Sequence, residues 1–191
     1  ERKETKDVLS YLKLANSIED DLAFERIINL PKRGIGEQSL KIIIDNARDN
    51  KISFFQSLNE LLQANKLPSS LTSKTQPFVD FIIKIKDLIN KTSLEDLGIF
   101  VIEESGYLKM LENEKNKLKK IENESRADNL KELVNALSEF ENLDDFLEHV
   151  GLVNENQKKV HHNSIKLMTL HAAKGLEFDH VYLPGWEEGI F

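Results

Sequence analysis

Two short stretches of this chain gather groups that could handle a phosphate-bearing ligand. The first is Pro31-Lys32-Arg33-Gly34-Ile35-Gly36-Glu37, where two cations stand beside two glycines and a helix-forming run follows. Glycine lets a backbone approach a phosphate closely, and the first N–H groups of the next helix lack intrahelical partners. Ile35 would anchor such a hairpin in a core while Lys32 and Arg33 supply charge. It reads no base edges, so a nucleic acid held there would be bound without regard to sequence. The same residues also suit a plain turn between antiparallel helices, and spacing alone leaves both readings open. The second stretch is Ser164 to Phe191, in which His171, Lys174, Gly175 and Glu177 fall within seven residues. Apolar residues flank them, Ile165, Leu167, Met168 and Leu170 before and His180 to Leu183 after. That pattern predicts strand, polar turn, strand, a connection of the kind that often carries ligand-handling residues in α/β proteins. A connection whose glycine merely permits the turn fits it equally.

The elements that must position these stretches are helical. Periodicity predicts a short amphipathic helix over 7–15, a polar break at 16–20 with Ser17 as N-cap, and a second helix over 22–30 ended by Pro31. Further helices are expected over 37–46, 53–63, 74–90 and 93–105. Pro68 marks a loop, Pro77 a helix start and Gly106 a C-cap. Residues 129–147 supply one or two more helices, 112–125 a solvated helix or loop, and 151–163 a polar connection. The Phe78, Phe81, Ile85, Leu88 series has core spacing. His149, His161 and His162 lack a convincing metal-ligand arrangement, two of them being adjacent in a polar linker. Trp186 could stack on a base or pack as an apolar side chain.

Composition sets the class. With 191 residues, 40% hydrophobic and 31% charged, the chain has enough apolar content for a core and too much order-promoting content for disorder. No run approaches the roughly 18 to 20 apolar residues of a membrane helix. The absence of cysteine excludes thiolate metal sites and suits a reducing cytoplasm. A net charge of −7 argues against strong nucleic-acid binding by the chain as a whole. Lys32 and Arg33 nevertheless stand apart from the acidic clusters at 19–21 and 139–145.

Thr169-Leu170-His171-Ala172-Ala173-Lys174-Gly175-Leu176-Glu177-Phe178, followed by an apolar strand and GWEEGIF, resembles motif V of the UvrD/Rep/PcrA family of superfamily 1 DNA helicases. ERKETKDVLSYLKL resembles the segment leading from the second motor domain (2A) into that family's large insertion (2B). INLPKRGIGEQSLKII, ESGYLKML and RADNLKELVNAL resemble successive parts of the insertion, so the likeness covers nearly the whole chain. The resemblance implies an ATP-driven motor tracking 3′ to 5′ on single-stranded DNA and unwinding duplex in repair or replication. It implies that Glu177 accepts a hydrogen bond from the ribose of ATP, with Gly175 shaping the turn beside the nucleotide. His171 and Thr169 would contact single-stranded DNA, and Lys32, Arg33, Gly34, Ile35 and Gly36 duplex DNA.

The resulting expectation is a mainly α fold: a helical insertion with a helix–hairpin–helix element, plus a small strand-turn-strand piece of an α/β RecA-like motor domain. Residues 1–15 lead in from 2A, 16–163 form 2B, and 164–191 return to 2A. The chain contains no GxxxxGK followed by Ser or Thr, no recognisable Mg²⁺-binding acidic strand and no late arginine motif. ATP and Mg²⁺ are therefore expected as cofactors of a parent enzyme, none bound by the piece alone. No catalytic residue and no metal ligand is expected within it. DNA, the remaining motor domains and repair or replication proteins are the expected partners, no membrane is expected, and a bacterial cytoplasm is the expected compartment. A chain starting at Glu1 and stopping inside a motif reads as a piece of a longer enzyme. Two other roles fit the same residues: a protein-docking and autoregulatory module, or the helicase subunit of a helicase–nuclease complex.

Overall fold

Helix α1 (Lys3–Asn16) is buried on nearly every side, including its polar residues Glu4, Asp7, Ser10 and Tyr11. A helix buried on most of its faces belongs at a centre, and α1 packs there against helices that follow it in the chain. The structure, a computed structural model, describes residues 2–113, 117–158, 168–169, 173 and 177–183. These fall in two compact units, 1–155 and 156–191. The fold is mainly α, and no described residue lies in a strand.

In the first unit α1 is followed by α2 (Asp21–Ile27), α3 (Glu37–Asn50), α4 (Phe54–Gln63) and α5 (Ser69–Leu88). Then come α6 (Leu94–Glu104), α7 (Tyr107–Glu112), α8 (Lys117–Leu137) and α9 (Leu143–Lys158). Helix α1 lies against α2, α5, α6 and α8. Helix α1, which spans most of the expected lead-in segment 1–15, is part of this unit's core.

Local signals explain most boundaries. The N-cap of α2 is Asp20 rather than Ser17: its carboxylate accepts from the Ala23 N–H at 2.8 Å, while Ser17 closes α1 by donating to the Lys13 carbonyl. Ser53 and Gln56 form a reciprocal capping box on α4, and the Ser53 hydroxyl also donates to the Ile18 carbonyl at 2.7 Å. Pro77 does not start a helix. It sits exposed inside α5, which begins eight residues earlier at Ser69, behind Pro68 as N-cap. A proline there removes one backbone donor, and burial of Leu71, Thr75, Phe78 and Val79 around it holds the helix through that loss. Gly106 takes φ +77 just beyond α6, the left-handed geometry of a helix end. The stretch expected as solvated helix or loop is helical from Lys117, and Asn123 within it is buried, donating to the Leu111 carbonyl at 2.8 Å. Likewise α9 runs through Gly151 to Lys158, in place of the expected polar connection.

Aromatic rings build the core about α5. Phe24 meets Phe78 at 5.9 Å and Phe54 at 6.1 Å, both edge-on, and Tyr11 meets Phe81 at 5.7 Å. Phe78 and Ile85 are buried and Phe81 and Leu88 pack on the same cluster, as their spacing predicts. At the α6–α8 contact Gly98 lets Leu137 approach so closely that a Cβ would stand 2.6 Å from its methyl.

Polar groups tie α1 to its neighbours. The Asp7 carboxylate, 1% exposed, accepts from Arg26 Nε at 2.7 Å and from the Tyr107 hydroxyl at 2.6 Å, and forms an ion pair with Arg26 Nη2 at 2.6 Å. Asp7→Ala leaves a guanidinium and a buried hydroxyl without their acceptor, a loss of about 3–5 kcal/mol. Urea unfolding should show it as a lower midpoint with an unchanged slope.

Burial, reinforced by the hydrogen bond to Asp7 and its charge, pushes the Tyr107 hydroxyl above the ordinary tyrosine range. The folded state therefore keeps this proton at a pH where the unfolded chain, titrating near pH 10, has lost it. That contribution is complete below about pH 10 and declines above it by about 1.4 kcal/mol per pH unit. The stability gap between the native chain and Tyr107→Phe should narrow as urea titrations are moved from pH 9 towards about pH 11. A constant gap would mean that the hydroxyl titrates normally.

Candidate nucleic-acid interface

The Pro31–Gly36 stretch forms a loop between α2 and α3 whose carbonyls are largely gathered inward. Gly34 takes φ +70, and its carbonyl accepts from Lys74 Nζ of α5 at 3.0 Å. Gly36 is the N-cap of α3, extended at φ −84 and ψ 170, with no side chain capping the helix. Ile35 is buried between them as the anchor its sequence implies. Lys32, Gly34, Gly36 and Glu37 are exposed.

The two glycines solve different problems. A Cβ on Gly34 would find room, with Lys74 Nζ at 3.5 Å, but the positive φ strains any L side chain there. Gly36 has an ordinary backbone and open space, with nothing within 4 Å of where a Cβ would stand. The turn itself therefore requires only Gly34. The value of a missing side chain at Gly36 is access to the N–H groups of Gly36, Glu37 and Gln38, none of which finds a protein acceptor among the described residues.

The cations divide in the same way. Lys32 points to solvent, but Arg33 does not supply charge to the outer face as expected. Its Nη1 lies 2.8 Å from the Ile27 carbonyl oxygen and 3.2–3.3 Å from those of Ile28, Leu30 and Pro31. Its Nη2 donates to the Tyr11 hydroxyl at 2.8 Å, and the guanidinium lies 5.0 Å over the Phe78 ring. Asn29 completes the inner face: its Oδ1 accepts from the Arg33 and Ile35 N–H groups, and its Nδ2 donates to the Ile35 carbonyl. Tyr11, Asn29 and Lys74 were not legible as site residues, because two of them come from helices far along the chain. Asn29, two residues before Pro31, carried the one local turn signal.

In the second unit Thr169 and Glu177 are both exposed, and the Thr169 carbonyl accepts from the Ala173 N–H at 3.0 Å. His171, Lys174 and Gly175 lie outside the described residues, as do Ile165 to Leu167, Leu170, His161, His162 and Trp186. His180 to Leu183, expected as a strand, has no regular structure and is exposed, Tyr182 at 89%. A strand exists only through the neighbour that takes its backbone groups, and no described residue pairs with this one. His149 lies beside the Phe140 ring at 5.3 Å.

What the first unit offers is a donor-lined, partly cationic loop on a helical scaffold. A profile of the UvrD-like helicase C-terminal domain matches residues 1–191. The chain is 40% identical over 196 residues to a probable DNA helicase II homolog of Rickettsia conorii, covering all of this chain and 29% of that protein. It is 38% identical over 201 residues to DNA helicase II of Escherichia coli, and 35% over 204 to ATP-dependent DNA helicase PcrA of Bacillus subtilis, covering 27% of each. The chain belongs to the UvrD-like helicase C-terminal domain family. It spans less than a third of the length of these relatives.

Gly36→Ala should leave the unfolding midpoint nearly unchanged, within about 1 kcal/mol, because its backbone suits any residue. Gly34→Ala should cost about 1–2 kcal/mol through its positive φ. If the hairpin holds phosphate, Gly36→Ala also weakens duplex binding, and Glu37→Gln strengthens it by removing a carboxylate from the helix start. Anisotropy titrations of a labelled duplex at low salt separate these effects from stability.

Proposed function

We propose that this chain is the 2B insertion of a 3′–5′ DNA helicase with short flanking pieces of its second motor domain. The parent is a DNA-dependent ATPase that translocates on single-stranded DNA and unwinds duplex. The observation that carries this reading is the Pro31–Gly36 hairpin: left-handed Gly34, uncapped α3 and exposed Lys32, in a chain of the UvrD-like family. We read the element as a helix–hairpin–helix that contacts duplex DNA through Lys32, Gly34 and Gly36, with Ile35 as its anchor.

Residues 164–191 would return to the motor domain as strand, turn and strand once its sheet neighbours are present. There the Glu177 carboxylate suits a ribose hydroxyl, which needs only an acceptor. Gly175 shapes the turn, while His171 and Thr169 face single-stranded DNA. Joining both ligands on one small element couples nucleotide state to grip on DNA. ATP, when bound with Mg²⁺ in the parent, supplies the free energy of translocation. This chain's own contribution is one exposed acceptor, because its sequence holds no phosphate-wrapping loop.

A single hydrogen bond is worth roughly 0.5–1.5 kcal/mol net, far short of micromolar nucleotide affinity. The 191-residue chain should therefore release no phosphate from ATP when DNA is added, above a Glu177→Ala control. It should bind duplex without sequence preference, at about 10⁻⁴ M or weaker near physiological salt. In the intact parent, Glu177→Ala should raise the KM for ATP roughly five- to a hundredfold and spare DNA affinity. His171→Ala should do the opposite. Identical phenotypes, or hydrolysis by the isolated chain, would overturn this assignment.

A further inference from the structure

The proposed hairpin works only if its carbonyls face away from the phosphate. A loop presents donors and acceptors alternately along its backbone, and an outward carbonyl repels an anion as strongly as an N–H attracts it. Here the carbonyls of Ile27, Ile28, Leu30 and Pro31 all converge on Arg33 Nη1. Those of Gly34 and Ile35 go to Lys74 and Asn29. The Tyr11 hydroxyl receives Arg33 Nη2 and itself donates to the Leu30 carbonyl, so it links the guanidinium to the loop through a second route. Tyr11 is fully buried and cannot reach a ligand.

Resting on the phosphate-binding reading, we propose that Arg33 is the positioning residue of the hairpin rather than one of its phosphate ligands. With Tyr11 and Asn29 it holds the carbonyls of Leu30, Pro31 and Ile35 inward and leaves the N–H groups of Gly36, Glu37 and Gln38 open to a ligand, with Lys32 as the cation that meets the DNA backbone. The role needs a guanidinium. A planar fork with five donors can serve several carbonyls and a hydroxyl while stacked on Phe78. An ammonium carries the same charge but has three donors and no planar face, so Arg33→Lys keeps the charge and loses the geometry.

The test is the salt dependence of duplex binding by the 191-residue chain, together with amide hydrogen exchange. The probe is a labelled duplex oligonucleotide of mixed sequence, and each variant is first shown to be folded. Each phosphate contact adds about 0.9 to the slope of log affinity against log salt. Lys32→Ala should lower the slope by about one contact. Arg33→Lys and Tyr11→Phe should each weaken binding about two- to tenfold with the slope unchanged. In both, exchange should quicken at the Arg33 and Ile35 amides, which Asn29 now holds. A role confined to overall stability would lower the unfolding midpoint and leave the folded protein's affinity alone.

Arg33→Lys binding like the native chain while Arg33→Ala loses about one contact of slope would make Arg33 a ligand and overturn the proposal. Native affinity and native exchange in Tyr11→Phe would overturn it as well. If the native chain shows no salt-dependent duplex binding, the phosphate-binding reading itself fails. The clamp is then decided by exchange alone, sustained by faster Arg33 and Ile35 amides in Tyr11→Phe and refuted by unchanged ones.

Discussion

The first unit is organised by a stripe of buried polar side chains on a largely buried helix. Glu4, Asp7 and Tyr11 stand three and four residues apart on α1, so they share one face. Each is satisfied by a different element. Glu4 accepts from Asn129 of α8, Asp7 from Arg26 of α2 and Tyr107 of α7, and Tyr11 from Arg33 in the hairpin. A buried charge or hydroxyl without its partner costs several kcal/mol, so these bonds admit few alternative packings of the helices around α1. No buried side-chain polar atom among the described residues is left without a partner. Apolar burial drives the helices together, and the stripe selects how they meet.

The hairpin inherits its shape from that arrangement. Tyr11 comes from α1, and Phe78 and Lys74 come from α5, which packs directly on α1. The loop has only Ile35 to bury for itself, too little apolar surface to hold a conformation against chain entropy of about 1–2 kcal/mol per residue. Its order is borrowed from the two helices beneath it. A residue that looks like a surface cation beside a glycine turn can therefore be spent inward, and Arg33 is such a case.

Helix existence was legible in the sequence because periodicity, caps and turn residues are local. The helix starting at residue 53, the Gly106 stop and the core series on α5 are of that kind. Pro77 reads locally as a helix start, because a proline's local penalty says nothing about the tertiary burial that overrides it. The solvated appearance of residues 112–125 hid Asn123, whose burial depends on a carbonyl twelve residues away. At the hairpin, the sequence marked the glycines and cations but could not sort them. Telling Gly34 from Gly36 needs φ, and telling Lys32 from Arg33 needs the side chains that arrive from α1 and α5. The strand expected over 180–183 is irregular, since strands are defined by partners rather than by their own residues.

The charge balance adds a last constraint. A chain of net charge −7 cannot draw DNA in by its overall field, so a contact at the hairpin must rest on the geometry of a few donors and one or two cations. Such contacts are weak and short-lived. With ordinary association rates of about 10⁵–10⁷ M⁻¹s⁻¹, an affinity near 10⁻⁴ M corresponds to release at about 10 to 10³ per second. On the proposed reading, a tight duplex clamp would have to be broken at every step of a translocating motor, whereas a contact in this range lets go on the timescale of enzymatic turnover. On the same reading, clamping the loop would preserve that grip: with so few contacts, none can be lost to disorder in the element that makes them.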